Sequence, residues 1–406
     1  MYISPKEDRS MPKSTCNVCL IGQKFMGRTH SNALLKVAKF FDLKCQPVMH
    51  TICAREEAEL QAFAKRWGWQ NSSTDWKTAV QNPEIDLVDI GTPNHLHPEM
   101  ALAAFEAGKH IACEKPLARN LAEARVMRDA AKKAKKCKTF VWYNYRRVPA
   151  VALAHQLVKE GRIGRIRHVR AYYLQDWADA DVPLIWRFDK KVAGSGSHGD
   201  LCAHIIDMAR FITGEEISEI TGAEMETFIK QRPLVEQGSK GGIAGGSAGG
   251  KKTGKVTVDD AVLFLARFTG GAVASFEATR FATGYQNKNG LEVHGEKGAI
   301  RFNFELMNYL DFYDDTIDPR LQGWTSIMCT HGGSHPYAAA WWPDAHVIGY
   351  EHTFINQFAD ILKVLGGEQP EAPLPDFEDA YQTQRVLEAV SMSAENRTPI
   401  KMSEVK

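Results

Sequence analysis

Between residues 17 and 142 the chain alternates short apolar runs with amphipathic helical stretches, and no other feature restricts its possible folds so strongly. The runs at 17–21, 48–54, 87–90, 111–113 and 139–142 are too continuously apolar for strands with one wet face. Helical spacing fills the gaps, at 27–40, 56–67, 97–107 and 120–136. Strands separated by helices need crossover connections, so the expectation is a parallel sheet covered by helices on both faces. Ligands of such sheets collect outside the carboxyl ends of the strands.

The pattern changes after Pro149. A helix at 151–159 leads to a strand at 166–173, a loop rich in tryptophan and aspartate, and a helix at 200–213. Strand-like runs follow at 217–225, 261–268, 272–279, 291–295 and 299–303 with no helix between them. That succession predicts a largely antiparallel sheet and an α+β second unit. Residues 238–255 are dominated by Gly, Lys, Ser and Ala, and such a stretch buries too little to order itself, so a flexible surface loop is expected. Helical spacing returns at 350–365 and 377–390.

Bulk properties exclude several classes of function. A formal net charge of +1 gives no global field to attract nucleic acid or an anionic membrane. No apolar run approaches the roughly 20 residues that span a bilayer. Residues 1–15 have no apolar h-region, so no signal peptide is expected and the cytoplasm is the expected compartment. Of eight cysteines, Cys16 and Cys19 have the spacing of a redox or zinc pair, but no second pair answers them. Buried thiols in a reducing compartment, without a metal site, are the expectation.

Four segments carry chemistry. Gly22-Gln23-Lys24-Phe25-Met26-Gly27 follows a strand and opens a helix, the setting in which backbone N–H groups meet a pyrophosphate. The usual middle glycine is replaced by Lys24, whose side chain crowds that approach unless it swings aside. Gly91-Thr92-Pro93-Asn94-His95-Leu96-His97 lies at the end of another strand, where ribose and nicotinamide would sit. Glu114-Lys115-Pro116 ends a third; a lysine there can donate to a substrate hydroxyl and stabilise an alkoxide. Asp200 and His204 are four apart and share a helical face, which suits proton transfer and would also suit two metal ligands. The fold expected is therefore α/β plus α+β: a tail at 1–16, a Rossmann dinucleotide-binding domain at 17–146, and a substrate and oligomerisation domain at 147–406 whose last helices can pack back on the first.

Taken in order, Phe25-Met26-Gly27 with His30, Thr92-Pro93-Asn94-His95, Glu114-Lys115-Pro116, Asn144-Tyr145-Arg146-Arg147 and Asp200…His204 resemble the glucose-fructose oxidoreductase / inositol dehydrogenase (Gfo/Idh/MocA) family over residues 17–390. Residues 173–177, 186–188, 193–196, 204–210 and 335–337 resemble in particular its pyranoside dehydrogenases, of the levoglucosan dehydrogenase type. The resemblance implies that Lys115, Asp200 and His204 are catalytic, with His204 exchanging the hydroxyl proton and Lys115 polarising the same oxygen. It implies cofactor contacts at Gly22, Lys24, Phe25, Met26, Ala54, Arg55, Thr92, Asn94, His95, His97, Glu114, Lys115 and Asn144. It implies substrate contacts at Arg147, Gln175, Trp177, Trp186, Arg187, Asp200, His204 and His335.

Apart from any family, Trp177, Trp186 and Trp342 offer apolar faces to a sugar ring, and Gln175, Asp176 and Arg187 offer hydroxyl partners. The second strand ends in Ala54-Arg55 where an NAD site wants a carboxylate on the ribose, so NADP stays open beside the NAD that the resemblance suggests. The reading is an NAD(P)-dependent sugar or glycoside dehydrogenase, or keto-sugar reductase, a homo-oligomer through its second-domain sheet. Its alternatives are a lyase or glycosidase that oxidises its sugar only transiently on a bound dinucleotide, and a non-catalytic sugar sensor.

Overall fold

The structure is a computed structural model that describes residues 14–235 and 248–406. Its first sheet is built from β1 (Thr15–Ile21), β2 (Gln46–Cys53), β3 (Asn71–Ser73), β4 (Leu87–Ile90), β5 (His110–Cys113) and β6 (Thr139–Val141). The spatial order is β3-β2-β1-β4-β5-β6 with every neighbour parallel. The order reverses beside β1, which opens a crevice at the carboxyl ends of β1 and β4. The connecting helices are α1 (Phe25–Phe40), α2 (Glu57–Trp67), α3 (Trp76–Gln81), α4 (His97–Glu106) and α5 (Leu121–Lys133). Gly68 ends α2 in the left-handed region, and Asn120 caps α5 through the Glu123 N–H.

Two elements here escaped the periodic reading: β3 is short and polar and α3 is a six-residue helix, and they order because β3 pairs with β2, Asp75 caps α3, and Ala79 and Val80 are buried. Thr15 and Cys16, expected in the tail, belong to β1. Residues 1–13 lie outside the described residues.

The second sheet is joined by α6 (Pro149–Lys159) and begins with β7 (Ile166–Leu174). After α7 (Lys190–Ala193) the helix expected at 200–213 divides into a π-turn, His198–Cys202, and α8 (Ala203–Thr213). The remaining strands are β8 (Ile217–Glu226), β9 (Gln231–Val235), β10 (Ala248–Lys255), β11 (Ala261–Phe268), β12 (Val273–Thr279), β13 (Lys288–Gly295), β14 (Gly298–Asn303), β15 (Tyr309–Asp314), β16 (Trp324–Met328) and β17 (Ile400–Lys401). Eight of them join β7 in a nine-stranded sheet of order β16-β15-β14-β13-β7-β12-β11-β8-β17. Only β7 and β12 are parallel. The low-complexity stretch is corrected in part: β10 pairs antiparallel with β9, because backbone hydrogen bonds to a neighbour order a segment that has no core of its own. Residues 236–247 lie outside the described residues.

Helices α6, α8 and α10 (Phe377–Asn396) cover one face of this sheet, while Leu263, Leu265 and Val273 stand exposed on the other. The chain then returns to the first unit. Phe354 and Phe358 of α9 (Tyr350–Leu365) share a core with Val18 and Leu20 of β1, and α10 also packs on α5. Among the described residues no helix is long and apolar enough to cross a membrane.

Candidate active site

At the reversal point Gly22 has φ +126°, and a Cβ there would lie 2.7 Å from the carbonyl oxygen of Gly91. A Cβ on Gly27 would lie 2.2 Å from the carbonyl oxygen of Gly22. Both positions demand glycine, and the turn they make delivers the N-terminus of α1 with no capping side chain and no acid in its first turn. Open N–H groups and the positive helix end suit a pyrophosphate, so this cradle fits a dinucleotide. Lys24 does not block it: its ammonium swings out to Glu59 of α2 at 2.7 Å. Phe25 is partly exposed and lies parallel to Tyr350 of α9, ring centroids 6.3 Å apart.

A buried charge relay runs under this turn. His30 on α1 places Nδ1 2.7 Å from Asp89 Oδ2 of β4 and Nε2 3.1 Å from Glu114 Oε1. Burial opposes its charge, but the two carboxylates outweigh that and hold its pKa at about 9. Trp142 Nε1–H donates to the other Asp89 oxygen, and the Lys115 N–H donates to Glu114 Oε2. The relay thus reaches the reacting end of the crevice.

There the Lys115 ammonium donates to the backbone oxygen of Asp200 at 2.8 Å and to Asp200 Oδ1 at 2.9 Å. Arg280 donates to the remaining oxygen, Oδ2, at 2.9 Å. Burial would raise the Asp200 carboxyl; Lys115, Arg280 and Arg187 outweigh it and hold it well below the usual carboxylate range. The expected Asp200–His204 couple is therefore revised, since both carboxylate oxygens face cations. His204, on α8, is buried, and its Nδ1 has no hydrogen-bond partner among the described residues. Burial first, and the Lys115 charge second, push its pKa well below the ordinary histidine value, against the opposing pull of Asp200. The ring is neutral at physiological pH.

Residues from both units enclose this imidazole. Tyr145 lies 4.6 Å from the His204 ring, and its hydroxyl meets that of Tyr173 at 2.8 Å. Tyr173 donates to Asn287 Oδ1, which also accepts from Gln175; Gln175 in turn accepts from the Trp177 indole at 2.7 Å. Arg187 stacks on Trp186 with its buried Nε lacking a hydrogen-bond partner among the described residues, and burial lowers its pKa despite Asp200 nearby.

The loop after β4 is fixed rather than free. Asn94 Nδ2 donates to the carbonyl of Ala193, and the His97 ring sits between the carbonyls of Thr92 and Pro116. Thr92 Oγ1 donates to Met100 Sδ at 3.5 Å, and burial lowers the pKa of His95. Asn144 donates to Thr353 of α9. At the end of β2, half-buried Ala54 donates its N–H to Ser73 and Arg55 is exposed.

Three expected substrate contacts, Arg147, His335 and Trp342, have other partners in the structure. Arg147 is fully buried, paired with Asp360 at 3.1 Å and bonded to the Ala372 carbonyl. His335 accepts from the His331 N–H in a segment whose Trp341 and Trp342 pack on Phe40. Phe40 is the last residue of a 16-residue helix that starts at the glycine turn, so it stands about 22 Å from that turn. In their place the fold supplies Arg280, Tyr145, Asn287 and Tyr350. Tyr145 belongs to the Asn144–Arg147 motif; the others carry no motif and meet the site only through sheet pairing and the return of α9.

Residues 16–143 match the family model described as an oxidoreductase family with an NAD-binding Rossmann fold, and residues 151–301 match the GFO/IDH/MocA C-terminal domain. The chain belongs to the Gfo/Idh/MocA family. It is 43% identical over 385 residues to levoglucosan dehydrogenase of Pseudarthrobacter phenanthrenivorans, covering 93% of this chain and 96% of that one. A solved levoglucosan dehydrogenase in complex with NADH and levoglucosan superposes with a TM-score of 0.87 at 40% identity, over 95% of this chain and 99% of that one. An oxidoreductase domain protein from Kribbella flavida gives a TM-score of 0.89 at 46% identity, over 96% and 100% of the two chains. As a member of this family the chain is an oxidoreductase with a nicotinamide dinucleotide domain, as the resemblance implied.

Proposed function

We propose that this oxidoreductase is a pyranoside dehydrogenase that takes hydride from a ring carbon of a sugar such as levoglucosan. The observation that carries the reading is a neutral, unpartnered imidazole, His204, buried beside an ammonium that has one donor to spare. His204 takes the proton of the substrate hydroxyl. Lys115 uses two of its three N–H bonds on Asp200 and directs the third to the same oxygen, where negative charge develops. Asp200 anchors the lysine and does not act as a base, because its carboxyl is held far below neutrality. Trp186, Arg187, Gln175, Trp177 and Tyr145 orient the ring and exclude water. A nicotinamide dinucleotide held at the Gly22–Gly27 turn and the N-terminus of α1 would supply the hydride acceptor.

NADP is a second cofactor that the chain's own residues favour. Ala54 presents no carboxylate to repel a 2′-phosphate, and exposed Arg55 can pair with one. The exposed Leu263, Leu265 and Val273 on the open sheet face support a homo-oligomer. Eight unbridged cysteines support a reducing compartment, the cytoplasm.

The test follows nicotinamide reduction with levoglucosan and a panel of other pyranosides. Lys115→Ala and His204→Ala should each lose about 100- to 10,000-fold in kcat and still bind NADH in a fluorescence titration. A wild-type enzyme that reduces NAD with no pyranoside, or a double variant as active as wild type, refutes the reading.

A further inference from the structure

Arg280 follows the carboxyl end of β12 and is almost wholly buried, with a side-chain exposure of 1%. Its Nη2 donates both to Asp200 Oδ2 at 2.9 Å and to the carbonyl of Gly196 at 3.1 Å. The guanidinium also lies over the Trp177 ring, 5.3 Å from its centroid. From the same end of this antiparallel strand pair, just before β11, Asp259 accepts the N–H groups of Gly196 and His198 and the Ser197 hydroxyl, each at 2.7 Å. A Cβ on Gly196 would fall 1.7 Å from the Asp259 carbonyl oxygen, so the backbones touch. The segment that carries Asp200 is a π-turn, whose own hydrogen bonds are irregular, and the strand ends hold it instead.

We propose that Arg280 is a positioning residue: by occupying Oδ2 of Asp200 it restricts Lys115 to Oδ1 and thereby keeps one ammonium N–H aimed at the substrate oxygen. The inference rests on the pyranoside dehydrogenase reading. A carboxylate with lysine as its sole partner is free to turn and offer both oxygens, drawing the ammonium back from the sugar. Two cations on opposite oxygens remove that freedom. Arg280 also balances the Asp200 charge, which otherwise acts on His204. The other ionisable groups around this carboxylate are Lys115 and Glu114 after β5, Arg187 of the tryptophan loop, and His204 of α8. The phenols of Tyr145, Tyr173 and Tyr350 also face Asp200, while Asp260 before β11 and Arg232 of β9 act on Arg280, and Asp259 holds the Gly196–His198 backbone.

The experiment compares Arg280→Met and Arg280→Lys with wild type in four measurements. These are kcat, KM, the pH profile of kcat/KM, and the His204 imidazole titration by NMR in the free protein. Arg280→Met should lower kcat about 10- to 100-fold, as a displacement near 1 Å does, with NADH affinity unchanged. The acid limb of its profile and the His204 titration should both move to higher pH. Arg280→Lys keeps the charge and should leave both midpoints in place while recovering part of kcat. If the methionine variant does not fold, the lysine variant's unmoved midpoints with reduced kcat carry the test. Identical kcat, profile and titration in all folded variants overturn the proposal and leave the dehydrogenase reading intact. Absence of any pyranoside turnover by wild type overturns that reading, while the NMR titration still measures the Arg280–Asp200–His204 coupling.

Discussion

Raising the pH through 9 discharges His30, and the structure sets both the sign and the size of the resulting loss of stability. The imidazole is fully buried between Asp89 and Glu114, and its pKa stands at about 9 against an ordinary 6.5. A group whose folded pKa is raised contributes stability fully below its unfolded pKa and loses it as pH rises through the folded value. The window is therefore 6.5 to about 9. At about 1.4 kcal/mol per pKa unit the contribution is about 3 kcal/mol. Above the window Glu114 loses its charged partner, and the loosened carboxylate is the acceptor of the Lys115 N–H. The imidazole Cε1–H resonance reads the folded pKa directly. The stability difference is read from denaturation midpoints of wild type and His30→Gln across the same range, since other titrating groups affect both proteins alike. Wild type should lose its advantage between pH 6.5 and about 9. An imidazole that titrates near 6.5, or two parallel stability curves, would refute the reasoning.

Four further outcomes are expected. Gly22→Ala puts a Cβ at φ +126° against the Gly91 carbonyl; it should cost about 1–3 kcal/mol of stability and weaken NADH binding in a fluorescence titration. Lys24→Ala should leave the NADH dissociation constant nearly unchanged, because the ammonium already sits on Glu59. Ala54→Asp should shift the NAD-to-NADP preference in binding by about tenfold or more toward NAD, since a carboxylate then faces the ribose. Leu263→Asp with Leu265→Asp, both on the open sheet face, should yield a smaller species by light scattering without loss of secondary structure.

The order of the first sheet was legible because its strands are buried on both faces and its helices are amphipathic, so each period is printed in the residues. Lys115, Asp200 and His204 were expected together because the first follows a strand and the other two are four apart in sequence, and the structure divides that pair between the π-turn and α8. Arg280 and Asn287 were not expected, since each is an ordinary polar residue after or before a strand and acquires a role only when β12, β7 and β13 align. Arg147 and His335, expected at the substrate, have other partners in the structure. Both belong to segments that resemble the family; Arg147 pairs with Asp360, and His335 accepts the His331 N–H.

Sequence alone determined the local features: where backbone must turn on glycine, which faces are apolar, and which residue types stand at strand ends. Tertiary structure decided the rest, because charge is a property of neighbours. Asp200 has both carboxylate oxygens taken by cations from distant segments. His204 stayed neutral because burial excludes water and Lys115 lies nearby, while His30 became a buried cation because two carboxylates converge on it across separate strands.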